Sequence, residues 1–307
     1  MKVQPHSCSL SDFPASVISA QGIKVLQADE GKRSVITIPG VEYARKSGIP
    51  LHINILMPRP EEGEKTVFPL IMFVQGSAWF KQEITQQLAQ LVYFARRGFI
   101  IAMAEYRPST VAPFPAQVKD ARTALSFMIR HAAEYHADPE RFVLWGDSSG
   151  GHTVTMLAVT NGDPYFSDEE DSSLPIRGVV DYYGPVNLGT MNDEPSTQDH
   201  DAPDSPEGMV LGGVRVSEHP DLVSAASPLT YIRETSRLPP FLIMHGDKDR
   251  LVPYGQSVLL YRKLAECKQK VDMYRITGAD HAGNAFWTAE EPLQITESFI
   301  KSCCLLS

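Results

Sequence analysis

In Trp145-Gly146-Asp147-Ser148-Ser149-Gly150-Gly151, the five residues from Gly146 to Gly150 fit G-x-S-x-G, a pattern that presents a serine hydroxyl for nucleophilic attack. The glycines have a physical reason. The serine sits on a tight strand-to-helix turn, where side chains two positions either side would collide. It also faces the positive end of a helix, which favours developing negative charge. Two serines compete for the role. Ser149 would have Asp147 and Gly151 as flanking residues, and Asp147 is bulky, so the register selects Ser148.

A serine hydroxyl needs a base, and nine histidines are available. Strand–serine–helix arrangements of this type order nucleophile, acid and base along the chain. His152 lies in the helix after the turn. His200 and His219 fall in an irregular stretch, and His245 precedes the acidic loop. His281, in Gly278-Ala279-Asp280-His281-Ala282-Gly283, follows the last predicted strand and is the expected base. The acid should lie between Ser148 and His281. The segment His245-Gly246-Asp247-Lys248-Asp249 offers Asp247 and Asp249, and spacing alone does not separate them. Asp280 adjoins His281, but neighbouring side chains usually diverge. An oxyanion needs backbone N–H donors, one of them from the residue after the nucleophile, here Ser149. Another is expected from the loop after an earlier strand, Gln75-Gly76-Ser77-Ala78-Trp79, where Gly76 and the small residues after it let backbone approach a carbonyl oxygen.

The elements that must hold these residues are legible as alternation. Strands are expected at Leu51 to Met57, Leu70 to Val74, Phe99 to Ala104, Arg141 to Trp145, Ile176 to Tyr182, Phe241 to Met244 and Val271 to Ile276. The run Leu70 to Val74 is wholly apolar, as in a parallel strand buried on both faces. Helical spacing recurs from Ile84 to Ala95, from Val118 to Ala132 and from Gly255 to Cys267, and a last helix is expected to follow Pro292, which suits a first-turn position. Alternation of this kind predicts a mainly parallel sheet covered on both faces. Roughly Ile23 to Met57 lacks helices and is expected to pair antiparallel. The stretch 187–227 breaks the rhythm with many Asp, Glu, Pro and Gly residues, and its length marks it as a candidate lid or cap. One domain over 1–307 is expected.

Bulk properties narrow the partners. The 307 residues are 43% hydrophobic and 21% charged, with a net charge of -9. This is a globular composition with no basic cluster, so neither nucleic acid nor an anionic membrane is an expected partner. No apolar run is long enough for a span or a leader, and the four cysteines fit no zinc spacing, so a reduced, cytoplasmic setting is expected. Cys304-Leu305-Leu306-Ser307 matches a C-a-a-X prenylation signal literally but lacks the usual basic residues upstream; the end of a terminal helix is the plainer reading.

Taken together, VQGSAWF (74–80), EYRPS (105–109), WGDSSGGH (145–152), DYYGPVNL (181–188), SPLTYI (227–232), HGDKDRLVP (245–253) and GADHAG (278–283) resemble the α/β-hydrolase family. The likeness is greatest to its bacterial esterase branch related to hormone-sensitive lipase and to feruloyl or acetyl esterases, often labelled BD-FAE. The resemblance implies an eight-stranded, mostly parallel sheet with helices on both faces. It selects Asp249 as the acid, the fifth residue of H-G-x-x-D. It assigns oxyanion donors to Ser77 and Ala78 alongside Ser149, and places Gly76 and Trp79 at the substrate. Gln75 and Ser77 depart from the family's usual histidine and glycine. The implied reaction is cofactor-free hydrolysis of a short-chain ester, a small molecule or an acylated carbohydrate. Two rivals are a peptidase of the prolyl-oligopeptidase type, which tends to carry an aromatic residue where this chain has Ser149, and a non-catalytic binding protein on the same scaffold.

Overall fold

A computed structural model describes residues 4–28, 33–61, 64–168 and 173–305. The chain divides into two units, Met1–Lys32 and Arg33–Ser307. Within the first, residues 4–28 form neither helix nor strand. Ser9 organises a turn there: its Oγ accepts the Asp12 N–H at 3.2 Å and donates to Asp12 Oδ2 at 2.6 Å.

The second unit is built on eight strands. They are β1 (Val35–Lys46), β2 (Ile49–Pro58), β3 (Phe68–Val74), β4 (Ile100–Ala104), β5 (Ala137–Asp147), β6 (Ile176–Tyr182), β7 (Phe241–Gly246) and β8 (Val271–Ile276). Their spatial order is β1-β2-β4-β3-β5-β6-β7-β8. β1 pairs antiparallel with β2, and β2 antiparallel with β4; every later neighbour is parallel. This is the eight-stranded, mostly parallel sheet that the resemblance implies. The antiparallel start is also as expected, although β1 begins only at Val35.

Period-two alternation sends each strand's apolar residues to both faces. Leu70, Met72 and Val74 of β3 join one core with α2 (Ala116–Arg130), α3 (Ser149–Val159) and α6 (Gly255–Glu266). Ile71 and Phe73 join the other with α1 (Leu88–Ala95), α7 (Asn284–Trp287) and α8 (Glu290–Leu305). Trp145 fills the second core, its ring stacked on Trp287 at 5.5 Å. Pro292 falls in the first turn of α8, and Cys304 is buried near that helix's end; Leu306 and Ser307 of the C-a-a-X match lie outside the described residues. Among the described residues no helix is long and apolar enough to cross a membrane.

The stretch 187–227 is more ordered than its composition implies. It contains a 3-10 turn (Leu188–Asp193), the short helices α4 (Pro206–Val210) and α5 (Pro220–Ala226), and a small core of its own. Leu188, Val210, Leu211, Val216 and Ala226 pack there around Trp79 from the loop after β3. The few apolar residues of this acidic stretch converge on one indole, a pattern without the fixed period that sequence reading relies on.

Candidate active site

The loops that leave the C-terminal ends of β3, β5, β7 and β8 meet at one place, as expected for ligand sites of open parallel sheets. Ser148 stands between β5 and α3 with φ 51° and ψ -127°. A non-glycine residue in that region costs about 1–3 kcal/mol, held by packing that tolerates no side chain nearby. A Cβ on Gly146 would fall on the Gly150 carbonyl, and one on Gly150 would fall on the Val74 carbonyl. These two contacts are the physical content of G-x-S-x-G.

Ser148 Oγ lies 3.0 Å from His281 Nε2, and His281 Nδ1 lies 2.6 Å from Asp249 Oδ2. The three side chains thus form one hydrogen-bonded series. Asp249 Oδ1 accepts the N–H groups of Leu251 and Val252, both at 2.9 Å. Burial would raise the Asp249 pKa, but hydrogen bonds from His245 and His281 outweigh it and hold the carboxyl well below the usual range. Asp247 is occupied elsewhere: its Oδ1 accepts the Gly278 N–H at 2.6 Å. Asp280 accepts the N–H of its neighbour His281 and binds Arg250, tying the histidine loop to the acid loop.

Of the three expected oxyanion donors, Ser77 makes a contact within the protein, while Ala78 and Ser149 line the cavity. The Ser77 N–H donates to Ser149 Oγ at 2.9 Å, so it is committed within the protein. Ser77 Oγ donates to the Phe80 carbonyl and meets Tyr106 Oη, which lies 3.2 Å from Ser149 Oγ. The serine that replaces the family's glycine therefore braces the loop. The N–H groups of Ala78 and Ser149 have no acceptor among the described residues, and both residues line the cavity at Ser148. Ala78 and Trp79 hold φ values of 54° and 56°, which turns the loop toward that cavity.

The two residues expected at the substrate are placed differently: Trp79 lines the cavity and Gly76 does not. The Gly76 N–H donates to Asp147 Oδ1 at 2.8 Å, and a Cβ on Gly76 would meet Ser148 Cβ at 2.6 Å. Gly76 is thus a close-packing position behind the nucleophile and is absent from the cavity lining. Trp79 borders the cavity but is 1% exposed, and its Nε1–H donates to His152 Nδ1 at 3.2 Å. His152 Nε2–H in turn donates to the Ala226 carbonyl at 2.7 Å, and burial lowers the pKa of this imidazole to about 4. His152 therefore joins α3, the loop after β3 and the 187–227 stretch. Gln75, at the family's histidine position, is buried and donates to Gln86 Oε1.

Three neighbours were not singled out from sequence. His245 is fully buried; its Nε2 lies 3.1 Å from Asp249 Oδ2 and 3.0 Å from the Val252 carbonyl, and its Nδ1 lies 2.7 Å from Ser257 Oγ. With two acceptors facing Nε2, the proton belongs there, so the Asp249 carboxylate receives two imidazole N–H groups. The four-residue spacing to Asp249 at a strand's end was the available signal. His200 and Glu207, both from the 187–227 stretch, line the cavity beside Ser148, Ser149 and His281. For Glu207 the signal was Ser205-Pro206, a helix start.

The cavity is small, about 60 Å³. One ordered water needs roughly 10–15 Å³ of such space, so a group of a few heavy atoms fits. A larger groove of about 840 Å³ opens at the other end of the sheet, past Pro175, Pro239 and Lys270. Size does not identify the site, because among the described residues that groove's lining includes no histidine, aspartate or glutamate. Among the described residues no group of three or more His, Cys, Asp or Glu side chains is placed to hold a metal ion.

The family model described as BD-FAE matches residues 53–264. Among curated proteins, LipM of Mycobacterium tuberculosis, named a probable carboxylic ester hydrolase, is 28% identical over 70% of this chain and 48% of that protein. Esterase LipC of the same organism is 27% identical over 69% of this chain and 52% of that protein. The chain spans about half the length of these curated relatives. A solved structure titled a truncated form of carbohydrate esterase from gut microbiota aligns with a TM-score of 0.76 and 26% identity, covering 91% of this chain and 99% of that one.

Proposed function

Because the chain belongs to the BD-FAE family, we propose that it is a serine carboxylesterase that hydrolyses short-chain esters, acetyl esters of carbohydrates or small aromatic alcohols among them. One observation carries this reading: the Ser148–His281–Asp249 hydrogen-bonded series, set on a strained turn beside the free N–H groups of Ala78 and Ser149. In the reaction, His281 Nε2 takes the Ser148 proton as Oγ attacks the ester carbonyl. The Ala78 and Ser149 N–H groups receive the oxyanion. His281 then protonates the departing alcohol, and water cleaves the acyl-enzyme with the same base. Asp249 keeps the proton on Nδ1, so that Nε2 is free to accept. Residues 187–227 act as a cap in this reading, since Gln198, His200, Pro206 and Glu207 border the cavity. A cytoplasmic setting belongs to the same proposal.

The small cavity supports a short acyl group, and the relatives named as esterases support the reaction class. Initial rates on p-nitrophenyl acetate, butyrate, octanoate and decanoate test the chain-length claim. A steep fall beyond butyrate is expected. Faster turnover of decanoate than of acetate would refute it.

A further inference from the structure

Glu207 is a buried carboxylate that the mechanism above does not use. It lies in α4, whose start is fixed by Ser205: Oγ accepts the Gly208 N–H at 2.9 Å. Its side chain is 4% exposed, beside a His200 side chain that is 2% exposed. Glu207 Oε2 comes within 3.0 Å of His200 Nδ1, but the approach is out of line for a hydrogen bond, and neither atom has another partner among the described residues. His200 cannot turn to improve it. Its Nε2 is held 2.9 Å from Ser196 Oγ, and that hydroxyl reaches the Arg250 carbonyl at 3.1 Å, in the loop that carries Asp249. Both residues border the cavity that contains Ser148 and His281.

A buried carboxylate without a well-aligned donor is costly, and a ligand that supplies one is favoured over a ligand that does not. The space admits only a few heavy atoms, so the donor must sit close to the reacting carbonyl. An alkyl chain there would leave Oε2 desolvated with only the misaligned Nδ1 of His200 beside it. An ammonium would bring its own desolvation cost, whereas a hydroxyl is neutral, small and donates one hydrogen bond. We propose that Glu207, braced by His200, binds a hydroxyl carried by the ester next to its carbonyl group, making this a hydrolase for hydroxylated esters. The inference rests on the esterase reading and adds a substrate class to it. Partly acylated sugars carry such hydroxyls on the alcohol side, and 2-hydroxy acid esters carry them on the acyl side.

The test compares kcat/KM for ethyl acetate, 2-hydroxyethyl acetate and ethyl glycolate, with the wild type and Glu207→Gln run side by side. The expected result is a preference of at least about tenfold for one hydroxylated ester over ethyl acetate, the scale of a hydrogen bond to a charged group. Which of the two is favoured assigns the hydroxyl to the alcohol or the acyl arm. Glu207→Gln should bring that ratio toward unity. A ratio unchanged in the variant, or an equal loss on all three esters, would mean that Glu207 is only structural and would overturn the proposal. If the variant does not fold, the wild type still decides, because no preference for either hydroxylated ester overturns it. A wild type that cleaves none of the three esters sinks the esterase reading itself, and this inference with it.

Discussion

Asp249 accepts four hydrogen bonds, two from imidazoles and two from backbone, and this saturation gives each neighbour a separable role. Asp249→Asn should lower turnover by up to ~10⁴-fold, because an amide cannot hold the His281 tautomer. Asp247→Asn should cost far less, since Asp247 binds the Gly278 N–H and no catalytic group. The reverse ranking in single-turnover rates would show the wrong carboxylate to have been chosen. His245→Asn removes one imidazole from the Asp249 carboxylate. A hydrogen bond to a charged group contributes about 1.5–3 kcal/mol, so kcat should fall roughly ten- to a hundredfold with KM little changed. A KM effect alone would argue against a positioning role for His245. At this scale the sequence was informative for Ser148 and His281, because glycine spacing and chain order constrain them. It did not foresee the contact of the Ser77 N–H, which donates to a hydroxyl 72 positions away. Such contacts have no spacing rule.

At the scale of elements, the central strands were readable as apolar runs such as Leu70 to Val74, which burial on both faces demands, and the edge strand β8 as alternation with one face half-buried. Ile176–Tyr182 and Val271–Ile276 match the sequence reading at both ends. The 187–227 stretch was not readable, because its helices are short and its core depends on Trp79, over a hundred residues earlier. Trp79→Ala should therefore act on the cap more than on the sheet. Large-to-small changes at buried aromatics cost about 3–5 kcal/mol. Amide exchange should speed up in α4 and α5 while β3, β5 and β6 stay protected. Uniform acceleration across both would show that the cap has no local core of its own.

Across the sheet-based unit, the same parallel strands that aim the loops also bury two carboxylates behind them. Burial raises the pKa of Asp147 to about 6 and of Asp181 to about 7, against the pull of the Gly76 and Gly184 N–H groups. Asp181 Oδ2 has no hydrogen-bond partner among the described residues. An unfolded aspartate ionises near pH ~4, so between that value and about 7 the native state holds a proton that the unfolded state has released. Stability contributed by this residue must then fall as pH rises through that window. Asp181→Asn removes the dependence. Its melting temperature relative to wild type should rise from about pH 4 to about pH 8, by an amount on the order of a few kcal/mol in stability. A pH-independent difference would show that Asp181 ionises in the folded protein at no cost. The expectations about turnover presuppose that the serine between β5 and α3 performs the chemistry. The most direct measurement is the initial rate of p-nitrophenyl acetate hydrolysis by wild type and Ser148→Ala, with folding of both checked by circular dichroism. Turnover by the wild type that vanishes in a folded Ser148→Ala is the expected result; activity that survives the substitution would contradict the assignment of Ser148 as nucleophile.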